Sequence, residues 1–151
     1  MYKENYNLKG KRAFITGGGR GIGLCSADAL AEAGANIVIS DIDEKLFEVV
    51  MSFLRSKNYQ VQEFLLNVAN SSATEEIADQ VEDKLGPVDI LVANAGITGP
   101  GTSAEKMTDE AWQRILEINL NGVFWSCRAF GKRMVERQHG AIVTVGSMSG
   151  F

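Results

Sequence analysis

At 151 residues, with 45% hydrophobic and 23% charged positions, the chain suits a single folded domain that can bury a core without disulfide or metal staples. A formal net charge of −4 and a pI near 5.0 leave no broad positive field, so nucleic acid and anionic membrane surfaces have no electrostatic support as partners. Small-molecule ligands are favoured instead, and 16 glycines against 2 prolines point to tight turns rather than disorder.

The opening residues, MYKENYNLKGKR, lack the apolar stretch of about 7 to 15 residues that a secretory signal needs. No apolar run approaches the roughly 20 residues of a membrane span, and a cytoplasmic location is expected. Residues 13–16 form the first strand candidate, ending in Thr16-Gly17-Gly18-Gly19-Arg20-Gly21-Ile22-Gly23, and residues 22–33 carry helical apolar spacing. A glycine turn between strand and helix is the context a phosphate site requires. Glycines let backbone N–H groups approach a ligand, and the helix start offers free donors and a positive dipole end to a pyrophosphate.

The register is T-G-x-x-x-G-x-G, through Thr16, Gly17, Gly21 and Gly23; no triplet fits G-x-G-x-x-G. A P-loop is excluded, because Leu24 stands where G-x-x-x-x-G-K-[ST] needs lysine. The plainer reading of such a cluster is a turn with no ligand. Asp41, at the end of the second strand candidate (36–40), argues against that reading. It follows Gly23 by 18 residues, close to the roughly 20 expected for a carboxylate that accepts from the ribose hydroxyls of a dinucleotide. A carboxylate there would repel a 2′-phosphate, so NAD is expected rather than NADP. The alternative for Asp41 is an exposed cap on the helix predicted over 43–57. Arg20 pulls mildly toward NADP, but without a second base at Ile42 it reads as solvated or phosphate-facing.

Further along, 60–68 reads as a strand, and 72–85 as a helix opened by a capping box of Ser72 and Glu75. Residues 88–93 read as a strand and 97–106 as a surface loop. Thr108, followed by Asp109 and Glu110, opens a long helix over 108–137, and 141–146 is the fifth strand. Cys25 and Cys127 are expected to be reduced packing thiols, since no metal-ligand spacing surrounds them. His139, beside Gly140, is expected in a solvated turn. Strict alternation of nearly continuous apolar strands with helices implies a doubly wound parallel α/β sheet of Rossmann type, as one domain with no linker or repeat.

With these residues in view the sequence resembles the short-chain dehydrogenase/reductase family over its whole length. The glycine motif is joined by the strand-end Asn94-Ala95-Gly96, by Asn119-Leu120-Asn121-Gly122, and by the serine of Val143-Thr144-Val145-Gly146-Ser147. The resemblance implies a cofactor site of Thr16, Gly17, Gly19, Arg20, Gly21, Ile22 and Gly23 at the phosphates and Asp41 at the adenosine ribose. Asn67 and Val68 would flank the adenine, and Asn94, Ala95 and Gly96 would line the other side. Asn67 stands where the family usually has aspartate; its amide oxygen still accepts a hydrogen bond.

The implied chemistry is reversible hydride transfer between NAD(H) and an alcohol or ketone. Ser147 would bond the substrate oxygen, and Asn119 would hold a water in a proton relay while placing its helix. Their plainer readings are a turn serine and a side-chain bond within a helix. The family's Y-x-x-x-K is absent: Tyr2, Tyr6 and Tyr59 are followed four residues on by Tyr6, Gly10 and Glu63. The chain therefore reads as the amino-terminal part of a longer enzyme.

The segments 122–131 and 146–150 are similar to NAD-dependent sugar-alcohol dehydrogenases of the family, although Phe124, Trp125 and Phe130 read better as core or interface packing. A homodimer or homotetramer is implied. The competing readings are an NADPH-dependent 3-oxoacyl carrier-protein reductase or related ketoreductase, and a non-catalytic NAD-binding sensor. A purified protein ending at Phe151 is expected to be inactive and poorly soluble, because its fifth strand would be an unpaired apolar edge. Measurable alcohol oxidation by it would refute this.

Overall fold

A computed structural model of the chain describes residues 6–147. Five strands, β1 (Arg12–Thr16), β2 (Asn36–Asp41), β3 (Val61–Leu65), β4 (Ile90–Ala93) and β5 (Ala141–Thr144), form one sheet in the order β3-β2-β1-β4-β5. Every pairing is parallel. The crossovers are α1 (Gly21–Glu32), α2 (Lys45–Ser56), α3 (Ser71–Leu85) and the pair α4 (Asp109–Leu116) and α5 (Val123–Glu136). From β1 the chain winds outward to β3, then returns to start β4 on the other side of β1. This is the doubly wound sheet that the alternation implied, with its point of reversal between β1 and β4.

The strands read as unbroken apolar runs because both faces are covered. Successive side chains alternate between faces, so Ala13, Ile15, Ile37 and Ile39 pack under α1 and α2 with Ala27, Val50 and Leu54. On the opposite face Phe14, Val38 and Leu91 meet Ala78 and Val81 of α3 and Phe130 of α5. The rings of Phe14 and Phe130, both fully buried, lie 4.5 Å apart. Phe130 is thus core, as its sequence setting suggested. Trp125 is half-buried, and exposed Phe124 shares the Arg128 guanidinium with it.

Several local expectations are corrected. The long helix over 108–137 is not uniform: a π-helical stretch, Glu117–Gly122, separates α4 from α5. The capping box at Ser72 does not form. Asn70 caps α3 instead, its Oδ1 accepting from the Ala73 N–H at 3.0 Å, while Glu75 is drawn to Lys132 and Arg133 of α5. Thr108 does cap α4, accepting from the Ala111 N–H at 3.2 Å. Residues 66–68 leave the sheet, so β3 ends at Leu65, and α2 begins at Lys45 rather than 43. The loop over 97–106 closes in a short 3-10 turn, Ala104–Lys106. Cys127 is half-buried, whereas Cys25 lies exposed on α1 and is no packing thiol.

His139 sits in the turn after α5, exposed, with Nε2 2.8 Å from Lys11 Nζ and 3.2 Å from Asp89 Oδ1. These residues stand at the amino ends of β1, β4 and β5, so the parallel sheet separates them from the glycine turn at the carboxyl end of β1. Burial would raise the Asp89 carboxyl pKa, but the Arg12 N–H and the Lys11 ammonium outweigh it and hold it below the usual carboxylate value. Among the described residues β5 pairs with β4 alone, and its Ile142 and Val143 stay 41% and 52% exposed. No described helix is long and apolar enough to cross a membrane, and no described group of three or more His, Cys, Asp or Glu could hold a metal ion.

Phe130→Ala should remove the contact with Phe14 and cost about 3–5 kcal/mol. Thermal unfolding should then show a midpoint lower by roughly 10 °C.

Candidate cofactor site

The site is built where β1 ends. Thr16 is 1% exposed, and its Oγ1 accepts from the N–H groups of Asn94 and Ala95, each at 3.0 Å. The Asn94 side chain answers, Nδ2 donating to the carbonyls of Thr16 at 2.9 Å and Gly17 at 3.0 Å. Two side chains thus lock the carboxyl ends of β1 and β4 together at the point where the sheet reverses direction.

Gly17 (φ +64°) and Gly21 (φ +54°) occupy the left-handed region that favours glycine, and between them the chain reverses into α1. Gly23 is required by space. A Cβ there would lie 2.1 Å from the Gly17 carbonyl oxygen and 2.6 Å from Asn94 Nδ2, so the first turn of α1 sits directly on the loop. The Gly18 N–H donates to the Ser40 carbonyl at 2.9 Å, joining the turn to β2. The Gly19 N–H donates to Asp41 Oδ2 at 3.0 Å, and Asp41 Oδ1 accepts from Ile42 at 2.8 Å and Asp43 at 3.2 Å. Asp41 therefore closes a tight turn at the exit of β2 and clasps the glycine turn, but it does not cap α2, whose N-cap is Glu44 with no side-chain cap.

The start of α1 is left open. Arg20 precedes it in extended conformation and exposed, no side chain caps it, and no acidic residue lies in its first turn. The first N–H groups of any helix lack partners within it, so this end presents donors and a partial positive charge beside a turn in which Gly17, Gly18, Gly19 and Gly21 carry no Cβ. Such a cradle fits the pyrophosphate of a dinucleotide. Ile22, 64% exposed, lies on the rim of the same turn.

The far side is arranged around Asn119 in the π-helical stretch. Its Oδ1 accepts from the Ile97 N–H at 2.9 Å and its Nδ2 donates to the Ile97 carbonyl at 2.8 Å. The same Oδ1 would lie 3.4 Å from a Cβ on Gly96. A chain of contacts therefore runs from the glycine turn through Asn94, Ala95 and Gly96 to Asn119. Val68 is buried against Gly122, where a Cβ would come within 2.8 Å of Val68 Cγ2. Asn67 is exposed, with Oδ1 accepting from the Ala69 N–H at 3.1 Å.

Ser147 is exposed and follows β5, whose exit is held to β4 by the Val145 N–H donating to the Ala93 carbonyl at 3.0 Å. Residues 148–151, including Met148, Ser149 and Gly150, lie outside the described residues. Sequence reasoning missed the Ser40 carbonyl, the Ile97 backbone and Leu46, which packs against Gly19. Backbone atoms leave no trace in a sequence. Gly122, by contrast, was visible as the last member of its motif, without its reason.

A doubly wound parallel sheet with an open helix start, a glycine turn and a strand-end carboxylate at its carboxyl edge defines a domain of the dinucleotide-binding class. A family profile described as short chain dehydrogenase matches residues 11–151, and the chain belongs to that family. It is 45% identical over 149 residues to galactitol 2-dehydrogenase of Rhizobium johnstonii, covering 99% of this chain and 58% of that protein. It is 35% identical over 144 residues to 3-oxoacyl-(acyl-carrier-protein) reductase of Escherichia coli, covering 95% of this chain and 57% of that one.

Among solved structures, a gluconate 5-dehydrogenase from Burkholderia cenocepacia in complex with NADP and tartrate superposes with a TM-score of 0.89 at 35% identity, over 97% of this chain and 57% of that one. An NAD+-bound xylitol dehydrogenase superposes with a TM-score of 0.91 at 30% identity, over 95% and 55%. The chain thus spans little more than half the length of these relatives. Membership places the chain in a family of dehydrogenases.

Thr16→Val would leave the N–H groups of Asn94 and Ala95 without an acceptor and should cost about 1–3 kcal/mol, read as a lowered unfolding midpoint. Thr16→Ser, which keeps the oxygen, should lie near the wild type.

Proposed function

We propose that the chain supplies the cofactor-binding part of an NAD-dependent dehydrogenase that moves hydride between NAD(H) and a secondary alcohol or ketone, with a sugar alcohol as substrate. The observation that carries the cofactor choice is Asp41, whose carboxylate stands at the end of β2 clasped to the Gly19 N–H at 3.0 Å. A fixed negative charge there accepts from ribose hydroxyls and repels a 2′-phosphate. Neighbouring structures are bound to either cofactor, so the reading rests on the carboxylate. The polyol reading is supported by the 45% identity to galactitol 2-dehydrogenase.

In this reading Thr16, Gly17, Gly19, Arg20, Gly21, Ile22 and Gly23 hold the phosphates, and Asp41 holds the adenosine ribose. Asn67 and Val68 flank the adenine; Asn94, Ala95 and Gly96 line the opposite wall. When bound, the nicotinamide ring supplies the site that accepts or returns hydride. Ser147 donates to the substrate oxygen and steadies the charge that grows on it, an effect worth about 10²–10³ in rate for one such donor. Asn119 acts first by position, because both the donor and the acceptor of its amide are committed to Ile97 and so set the wall carrying Gly96.

A proton must still leave or reach the substrate oxygen, and the 151 residues contain no Y-x-x-x-K to move it. We accordingly expect residues 1–151 alone to bind cofactor without turnover. A cytoplasmic protein forming dimers or tetramers completes the proposal, supported by exposed Trp112, Leu120 and Phe124 along one stretch of the chain.

The second reading, an NADPH-dependent 3-oxoacyl reductase, is favoured by the 35% identity to such an enzyme. One experiment separates the two. Purified residues 1–151 and their Asp41→Ala variant are titrated with NADH and NADPH, and turnover of galactitol, xylitol, sorbitol and a 3-oxoacyl thioester is assayed with the longer enzyme that this proposal expects. The proposal expects residues 1–151 to prefer NADH, with Asp41→Ala losing that preference, and the longer enzyme to oxidise a polyol. Preference for NADPH together with reduction of the thioester would overturn it.

A further inference from the structure

The contact between Gly19 and Asp41 does more than close a turn. Gly17 and Gly21 have left-handed backbones, but Gly19 does not, so its conformation makes no demand for glycine. Space makes the demand. A Cβ on residue 19 would stand 2.7 Å from Asp41 Oδ2, 2.8 Å from Leu46 Cδ1 and 3.0 Å from Leu46 Cβ. Its N–H meanwhile donates to the same Oδ2 at 3.0 Å.

The two carboxylate oxygens are held differently. Oδ1 accepts from Ile42 and Asp43, its immediate neighbours in sequence, and these bonds move with the β2 exit. Gly19 reaches Oδ2 from across the sheet edge and ties the carboxylate to the phosphate turn. A carboxylate has about four acceptor positions, so these three bonds leave room at the mouth for a hydroxyl donor.

We infer that Gly19 is the positioning residue for cofactor selection: its N–H and its missing side chain hold the Asp41 carboxylate against the turn, where it separates a 2′-hydroxyl from a 2′-phosphate. This rests on the reading of Asp41 as the ribose-facing group. A methyl group at position 19 would clash with Oδ2, push the carboxylate off the Gly19 N–H and swing the charge away from the 2′ position. Binding of the pyrophosphate part, common to both cofactors, would change less than the choice between them.

The test measures dissociation constants for NADH and NADPH by fluorescence titration of the purified protein, with thermal unfolding of each variant in parallel. The wild type should favour NADH, and Asp41→Ala should remove the preference. Gly19→Ala should narrow the NADPH-to-NADH ratio about tenfold, the scale of one hydrogen bond to a charged group, and should narrow it no further in the Asp41→Ala background. Gly19→Ala/Asp41→Ala, in which the clash with Oδ2 is gone, should match Asp41→Ala for both cofactors and serves as the folded test case if the single variant is unstable.

Equal weakening of both cofactors by Gly19→Ala, or an undiminished effect without Asp41, would overturn the inference. If instead the wild type fails to discriminate, or Asp41→Ala leaves its preference intact, the reading of Asp41 itself fails, and the inference with it.

Discussion

The rest of the site depends on the approach of α1 to the end of β1. Gly23 and the Gly17 carbonyl are so close that a methyl group at position 23 would sit 2.1 Å from the oxygen. Backbone must pack on backbone here, which only glycine permits. That closeness brings the open helix start onto the turn, and it leaves Asn94 Nδ2 the space to bond the Thr16 and Gly17 carbonyls. A wider turn would move the helix dipole away from the sheet edge and unpair the carboxamide that binds β1 to β4.

The interlock lies at the reversal point of the sheet, and topology explains why. Helices returning from β1 and from β4 leave toward opposite faces, so the crevice above these two strands is not roofed by either crossover. The structure fills its walls from both halves. β1, β2 and α1 contribute the glycine turn and Asp41, while β4 and the π-helical stretch contribute Asn94, Gly96 and Asn119. The two buried clusters, one under α1 and α2 and the other under α3 and α5, keep those halves in register.

The π-helical stretch shows how a local irregularity is used. One wider turn between α4 and α5 coincides with the Asn119 amide bridging the Ile97 N–H and carbonyl, so that a helix holds a loop strand by side chain. At its end Gly122 allows Val68 to pack closely, joining the segment after β3 to the same helix. The membership of the family and the shape of the domain meet in this arrangement.

The sequence by itself determined the five strands, the parallel class and the glycine turn, since apolar runs and glycine spacing are local and periodic. It also marked Asp41, Asn94, Asn119 and Ser147 as positions of interest through their motifs. It misjudged what neighbours decide. Ser72 and Glu75 have the right spacing for a capping box, but Glu75 answers to Lys132 and Arg133 on α5, and Asn70 takes the cap. The break in the long helix was invisible because its partner, Ile97, is 22 residues away. Only the tertiary structure decided that Asp41 clasps Gly19, and that Gly19 and Gly23 are glycine for want of space rather than for backbone freedom. Distances between atoms far apart in the chain exist only after folding, and those distances turn a glycine motif into a site.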